Sequence, residues 1–450
     1  MKKIFSSLEK KNISSNEKND ELILNGPLNY IELTNEKTGQ NIFLFMDYHR
    51  HITKQKKCEE YEAKDVDKFL YKLLSETTDT LDFFLEINPS DITNRLKNYS
   101  NLNNDNYILE VRKIFRKIYN EKNKNNEISQ EQNIRLHYID IRDYSLYNLI
   151  VKIMFDLLDN IHMYKLDNLS WIIDELIRLR ELLNKILKIS DKFLSESFNE
   201  DISIDIVNKK IKKKSSNANL NDMNINEANA QIPEALIDEI GFEQLLSKIL
   251  NSYQDKTNRD NIREYFISQY YDVSKELIDY IDTIIKNLSD VETLFDYQIK
   301  TEQLNIDDYA LNDLGINING KVAYYGLNEK IYDQVSSALY NQINGLTIIT
   351  VKLGSVFMDC FFLRRIIEKA KYIKNSIVYT GGIHTMVYVW FLVKKYNFKV
   401  SNYYYLNMDK IDKQNNVLEE LNLKIKKSLN HTELYDLFFP KTFNQCIKIN

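Results

Sequence analysis

Four short apolar runs constrain this chain most: Asn41–Asp47 (NIFLFMD), Leu81–Glu86 (LDFFLE), Ile134–Asp140 (IRLHYID) and Ile377–Thr380 (IVYT). Each has the length of a strand, and apolar residues recur at helical spacing between them. Val66, Phe69, Leu70, Leu73 and Leu74 mark a helix over Glu62–Glu76, and Ile108, Val111, Phe115 and Ile118 mark a second. Nearly continuous apolar strands that alternate with amphipathic helices predict an α/β fold whose mostly parallel central sheet is flanked by helices. Leu346–Val351 and Val400–Leu406 read as further strands, and Val356–Lys374 as a helix.

The alternation stops in the middle of the chain. From Leu146 to about Gln303 the pattern is helical throughout, with a long stripe of Trp171, Ile172, Leu176, Leu179, Leu183, Ile186 and Leu187, then helices expected over Pro233–Ser252 and Asn261–Thr301. The sheet therefore reads as interrupted by a long all-helical insertion. The organisation expected is a flexible N-terminus over 1–22, the first half of the α/β domain over 23–145, the insertion over 146–303, and the second half with a C-terminal tail over 304–450. Inside the insertion, 208–232 reads as a solvated basic and Asn-rich loop carrying Lys209, Lys210, Lys212, Lys213 and Lys214.

Composition narrows the function classes. Hydrophobic residues make up 43% of 450 and charged residues 28%, so neither a membrane protein nor a disordered one is indicated. Sixty Lys and Arg against 65 Asp and Glu leave −5, which argues against a dedicated nucleic-acid binder. Ser376–Val393 is uncharged and long enough to span a bilayer, but Gly381, Gly382 and His384 in its midst read as strand, tight turn and buried helix, so no span is expected. Three cysteines, Cys58, Cys360 and Cys446, contain no CxxC pair. That predicts neither structural zinc nor a disulfide framework, and favours a reducing, cytoplasmic compartment. The enrichment in Tyr, Asn, Lys and Ile follows AT-rich codon usage and carries no chemistry of its own.

Open α/β sheets build their sites at the carboxyl ends of strands. The expected strand ends here are Asp47-Tyr48-His49-Arg50-His51, Glu86, Asp140-Ile141-Arg142-Asp143 and Gly381-Gly382-Ile383-His384. Ionisable groups gathered on one sheet edge suit acid–base work or metal binding. The candidate catalytic residues are His49, Glu86, Arg142 and His384, and the candidate metal ligands Asp47, His49, Glu86 and His384.

The order of these motifs resembles the erythromycin esterase/ChaN-like superfamily, which includes the TraB and TIKI proteins. Gly381-Gly382-Ile383-His384 matches the late Gly-x-x-His, Asp82–Glu86 the middle Glu, and Met46-Asp47-Tyr48-His49 the early Gly-acid-x-His, with Met46 where the pattern has glycine. The phrases Leu81–Glu86, His137–Asp140 and Met358–Arg364 also look like those of uncharacterised proteins of large DNA viruses. The resemblance implies hydrolysis of an ester or peptide bond by a His/Glu cluster, in some members with a divalent metal. In that scheme His49 would be general base or ligand, Glu86 and His384 ligands or orienters, and Arg142 a partner for an oxyanion or acidic substrate group. Asp359 and Arg364 read as an internal ion pair.

Rival readings divide by motif. A calcineurin-like phosphoesterase also opens on Asp-x-His but needs glycine motifs that a chain without glycine between 41 and 240 lacks; a serine hydrolase elbow and a P-loop are absent too. A non-catalytic viral accessory or virion protein would use the fold as a scaffold, with the helical insertion as its partner surface. A haem-binding protein is the third class, with Tyr48 or a histidine toward iron. No nucleic acid or membrane partner is expected.

Overall fold

The computed structural model describes residues 22–49, 58, 63–88, 107–124, 133–142, 147–164, 169–195, 241–301, 329–412, 416–442 and 445–449. The chain divides into two compact units, one made of residues 1–141 and 361–450 and the other of 142–360. The N-terminal 1–21 and the basic 208–232 segment lie outside the described residues.

The first unit carries both sheets. Its strands are β1 (Leu22–Asn25), β2 (Asn29–Asn35), β3 (Gln40–Asp47), β4 (Lys64–Asp65), β5 (Leu81–Leu85), β6 (Ile134–Tyr138), β7 (Asn375–Gly381), β8 (Lys399–Tyr403) and β9 (Cys446–Ile449). Six of them form the main sheet in the order β6-β5-β7-β3-β2-β8, and β4-β1-β9 form a small second sheet. In the main sheet β6, β5, β7 and β3 run parallel, as the apolar runs predicted. The expectation of a mostly parallel sheet holds for these four strands and not for the other two. β2 pairs antiparallel with both β3 and β8, so the sheet is mixed. β2 (NYIELTN) alternates apolar and polar residues over Ile31–Thr34, and a tight turn closed by Gly39 at φ 68° returns it into β3.

Helices cover this sheet for the reasons the sequence suggested. α1 (Val66–Glu76) buries Val66, Phe69, Leu70, Leu73 and Leu74, and α2 (Tyr107–Lys124) buries Ile108, Val111, Phe115 and Ile118, all in one core with Phe43, Phe45, Phe83, Leu85 and Tyr379. After β7 the chain turns at Gly381 directly into α8 (Gly382–Tyr396). Phe362 packs edge-on to Phe84 at 5.2 Å and against Tyr388 at 4.1 Å.

A buried polar cluster lies toward the edge of the same sheet. Asp82, fully buried, takes Arg135 Nε at 2.8 Å, Arg135 Nη2 at 2.6 Å and His137 Nε2 at 2.7 Å. Arg365 Nη1 donates to His137 Nδ1 at 3.1 Å, and the His137 ring stacks on Phe84. Burial, followed by Arg365 and Arg135 acting against Asp82, holds the His137 pKa below its ordinary value.

The cysteines overturn an expectation. Cys58 and Cys446 form a disulfide across 388 positions, with 5.7 Å between their Cα atoms. Antiparallel pairing sets Cys446 opposite Asn25, and the Asn25 side chain accepts the Cys58 backbone N–H at 3.2 Å. Spacing along the chain carries no trace of such a pair, because strand pairing alone creates it. Cys360 is free and buried.

The described elements of the second unit are helices: α3 (Tyr147–Tyr164), α4 (Leu169–Leu194), α5 (Lys256–Phe266), α6 (Asp272–Thr301) and the greater part of α7 (Glu329–Glu368), with π-helical turns at Ser247–Asn251 and Ile267–Tyr271. The stripe predicted along α4 is buried from Ile172 to Leu187, whereas Trp171 at its start is exposed, and Phe242, Phe266, Tyr270 and Phe357 form an aromatic cluster, Tyr270 and Phe357 being 4.6 Å apart. Leu346–Val351, expected as a strand, lies inside α7. The run is β-branched but has buried positions at helical spacing (Ile343, Leu346, Thr347 and Thr350), so tertiary burial overrides local preference. Asp359 accepts from the Tyr265 hydroxyl at 3.2 Å.

Among the described residues one stretch, Ser336–Glu368, is long and apolar enough to cross a membrane, and 78% of its most apolar window is buried in the protein, as in a core helix. The uncharged Ser376–Val393 is β7 followed by α8.

Candidate active site

Parallel pairing brings three strand ends level. Asp47 at the end of β3 is in register with Gly381 at the end of β7, and Leu85 of β5 is in register with Tyr379, which sets Glu86 beside Thr380. Asp47 and Glu86 are buried, whereas the His49 side chain is 38% exposed. Past the end of β3, His49 has a φ of 52°, in the left-handed region. Met46, in the place of the motif's glycine, is an ordinary buried strand residue paired with Thr380, so the bend needs no glycine there.

His49 is held from both sides. Its backbone N–H donates to Asp47 Oδ2 at 2.7 Å, and its Nδ1 contacts the same oxygen at 2.7 Å. Nε2 faces Glu86 Oε2 at 3.2 Å. Burial by itself pulls the imidazole pKa down, but Glu86, then the Asp47 and Glu86 hydrogen bonds, push it up to about 10. His49 is therefore an imidazolium at neutral pH, open to solvent on one side and backed by two carboxylates.

The carboxylates are themselves fixed. Tyr379 OH donates to Asp47 Oδ1 at 2.9 Å and Gln445 Nε2 approaches the same atom at 3.4 Å. Burial, reinforced by Asp47, keeps the Tyr379 phenol protonated and so a donor. Glu86 Oε2 receives the Gly381 backbone N–H at 2.9 Å and the Thr380 hydroxyl at 3.1 Å besides His49. Space at Gly381 is tight: a Cβ there would lie 3.0 Å from His49 Nε2 and 3.5 Å from Glu86 Oε2. At Gly382 a Cβ would come within 2.5 Å of the Phe439 ring.

Of the residues singled out in the sequence, Asp47, His49 and Glu86 come together. His384 is buried on the first turn of α8, its ring stacked with Tyr388 at a centroid distance of 6.3 Å. Arg142 is the first residue of the second unit. His51 and Asp143 lie outside the described residues. Tyr379 and Thr380 went unnoticed in the sequence although polar groups inside a buried apolar run are a signal. Gln445 and Arg112, whose Nε donates to the Glu86 carbonyl at 2.7 Å, gave none.

In this arrangement both ring nitrogens of His49 face carboxylate oxygens, Nδ1 toward Asp47 and Nε2 toward Glu86. Among the described residues, no group of three or more His, Cys, Asp and Glu side chains is arranged to hold an ion. What the arrangement can do is move a proton: one oriented imidazolium and one acceptor carboxylate 3.2 Å apart at a solvent-open edge.

No solved structure matches this chain. Relatives of the chain occur among the proteins of Acanthamoeba polyphaga mimivirus. Uncharacterized protein R161 is 28% identical over 95% of this chain and 96% of its own length, and uncharacterized protein R706 is 28% identical over 95% of both. Uncharacterized protein R129 is 40% identical over 27% of this chain and 73% of its own. The family model described as a family of unknown function (DUF5847) matches residues 22–450, covering both halves of the sheet and everything between them, and the chain belongs to that family.

Proposed function

We propose that the protein is a hydrolase of ester or peptide bonds in which His49 and Glu86 act as an acid–base pair. The observation that carries this reading is the Asp47–His49–Glu86 chain, whose middle member is charged, oriented and reachable from solvent. In the proposed reaction a water attacks the carbonyl carbon and gives a proton to the Glu86 carboxylate. His49 gives its Nε2 proton to the leaving oxygen or nitrogen as the bond breaks. Return of the proton from Glu86 to His49 across the 3.2 Å contact restores both groups. Asp47, short-bonded to Nδ1, fixes the ring and favours its charged form.

The order of strand-end motifs supports the same class, since it resembles that of the erythromycin esterase/ChaN-like superfamily. A divalent-metal version of the chemistry is a separate proposal, decided by metal analysis of the purified protein. The relatives set the proposed context as a virus-infected cell.

The test is turnover of a panel of 4-nitrophenyl esters and chromogenic peptides by wild type, His49→Gln and Glu86→Gln. A loss of about 10²–10⁴-fold in both variants, with the fold intact by circular dichroism, is expected. Wild-type rates at the level of buffer, or variants as fast as wild type, would overturn the reading.

A further inference from the structure

Most of the half-buried arginines of the first unit whose contacts are fully accounted for are spent. Arg135 is locked bidentately on Asp82, and Arg365 lies between His137 and the Phe361 ring. Arg112 differs. It sits on α2 between the buried Val111 and Phe115, partly buried, and its Nε donates at 2.7 Å to the backbone carbonyl of Glu86, the residue that grips His49. That single bond is its only hydrogen bond or ion pair with the described residues, and its acceptor is neutral. The two Nη groups make none.

Among the described residues this partly buried guanidinium has no counter-charge, and withdrawing such a group from water without one is costly. A bond to a carbonyl does not need that charge, because a neutral amide would make it as well. With Nε pinned, the plane of the guanidinium is fixed and its Nη pair is left as a ready two-pronged donor, the geometry that matches a carboxylate or phosphate. The guanidinium lies at the Glu86 backbone, just past the carboxyl end of β5, and Glu86 is the residue whose carboxylate the proposed reaction uses.

We propose that Arg112 is the specificity-determining residue of this site. Its Nη groups take an anionic oxygen group of the substrate, a carboxylate or a phosphate, so the bond cleaved belongs to an anionic ester or to a peptide with an acidic group next to the scissile bond. The proposal rests on the hydrolase reading for the word substrate, but the anion site itself is measurable without turnover.

The experiment is titration of the full-length protein with inorganic phosphate and, separately, acetate, followed by calorimetry and by the ring resonances of His49. Wild type is expected to bind one of the two at a single site, which also distinguishes the phosphate from the carboxylate source. Arg112→Gln is expected to weaken that binding at least tenfold with the His49 pKa unchanged. Should Arg112→Gln fail to fold, Arg112→Lys decides, because it keeps the charge and loses the fork; binding about tenfold weaker is expected. No binding by wild type, or binding that neither substitution alters, would overturn the proposal. Phosphate or acetate held through Arg112 by a protein that cleaves no ester would uphold the anion site while the hydrolase reading fails. The reverse pattern, ester cleavage with Arg112-independent binding, would sink the anion site and leave the hydrolase standing.

Discussion

The Nδ1 atom and the backbone nitrogen of His49 both lie 2.7 Å from one oxygen of Asp47, two residues earlier in the chain. A single buried carboxylate thus sets the ring's rotation and holds the left-handed backbone that presents it. The far nitrogen is left facing Glu86.

Asp47→Asn keeps the shape of this contact and removes its charge. The His49 pKa is expected to fall from about 10 toward the ordinary imidazole value, and ester turnover to drop at least tenfold. Titration of the ring by NMR reads the first effect; an unmoved midpoint would show that Asp47 contributes little to the charge on His49.

Stability should depend on pH through the same ring. Its folded pKa is raised to about 10 above an unfolded value of 6.5, so the native state binds the proton more tightly. The stabilisation is complete below pH 6.5 and is lost as pH rises toward and through 10. Denaturant midpoints of wild type are expected to decline over that interval, and those of His49→Gln to decline less. Parallel curves would rule the linkage out.

Gly381→Ala puts a methyl group 3.0 Å from His49 Nε2 and 3.5 Å from Glu86 Oε2, beside the contact the two make. Widening that contact is expected to cost about tenfold or more in activity and roughly 1–3 kcal/mol in stability. A variant with wild-type kinetics would mean that the His49–Glu86 contact is not used in turnover.

Reducing the Cys58–Cys446 bridge, or replacing Cys446 by Ser, removes a link closing almost the entire chain. A loss of about 2–5 kcal/mol is expected. Because Gln445, next to the bridge, approaches Asp47, the His49 resonances should shift on reduction as well. Equal melting temperatures with and without reductant would show that the bridge contributes nothing to stability.

Asp82→Ala strands Arg135 and the Nε2 proton of His137 beneath the sheet edge, at a cost of roughly 3 kcal/mol. Esterase activity per folded molecule should be unchanged, since the cluster is separate from His49. A large kinetic effect at normal stability would instead tie this network to the reaction.

The parallel strands and their covering helices were legible in the sequence because each solves a local problem. A strand buried on both faces must be apolar throughout, as in Ile42 to Met46, and a helix on that sheet must carry a stripe, as in Val66 to Leu74. The same logic made Asp47, His49, Glu86 and the Gly381-Gly382 turn stand out, because polar groups that end apolar runs collect where parallel strands stop.

What the sequence left open depends on partners distant in the chain. β2 alternates like many exposed segments and becomes a sheet strand only against β3 and β8. Leu346–Val351 favours strand locally, but burial along one side makes it helix. Cys58 and Cys446 meet because β9 pairs with β1, and Arg112 reaches Glu86 because α2 packs over β5. The charge on His49 is likewise a tertiary property. Only the folded sheet edge brings two carboxylates close enough to outweigh the cost of burial.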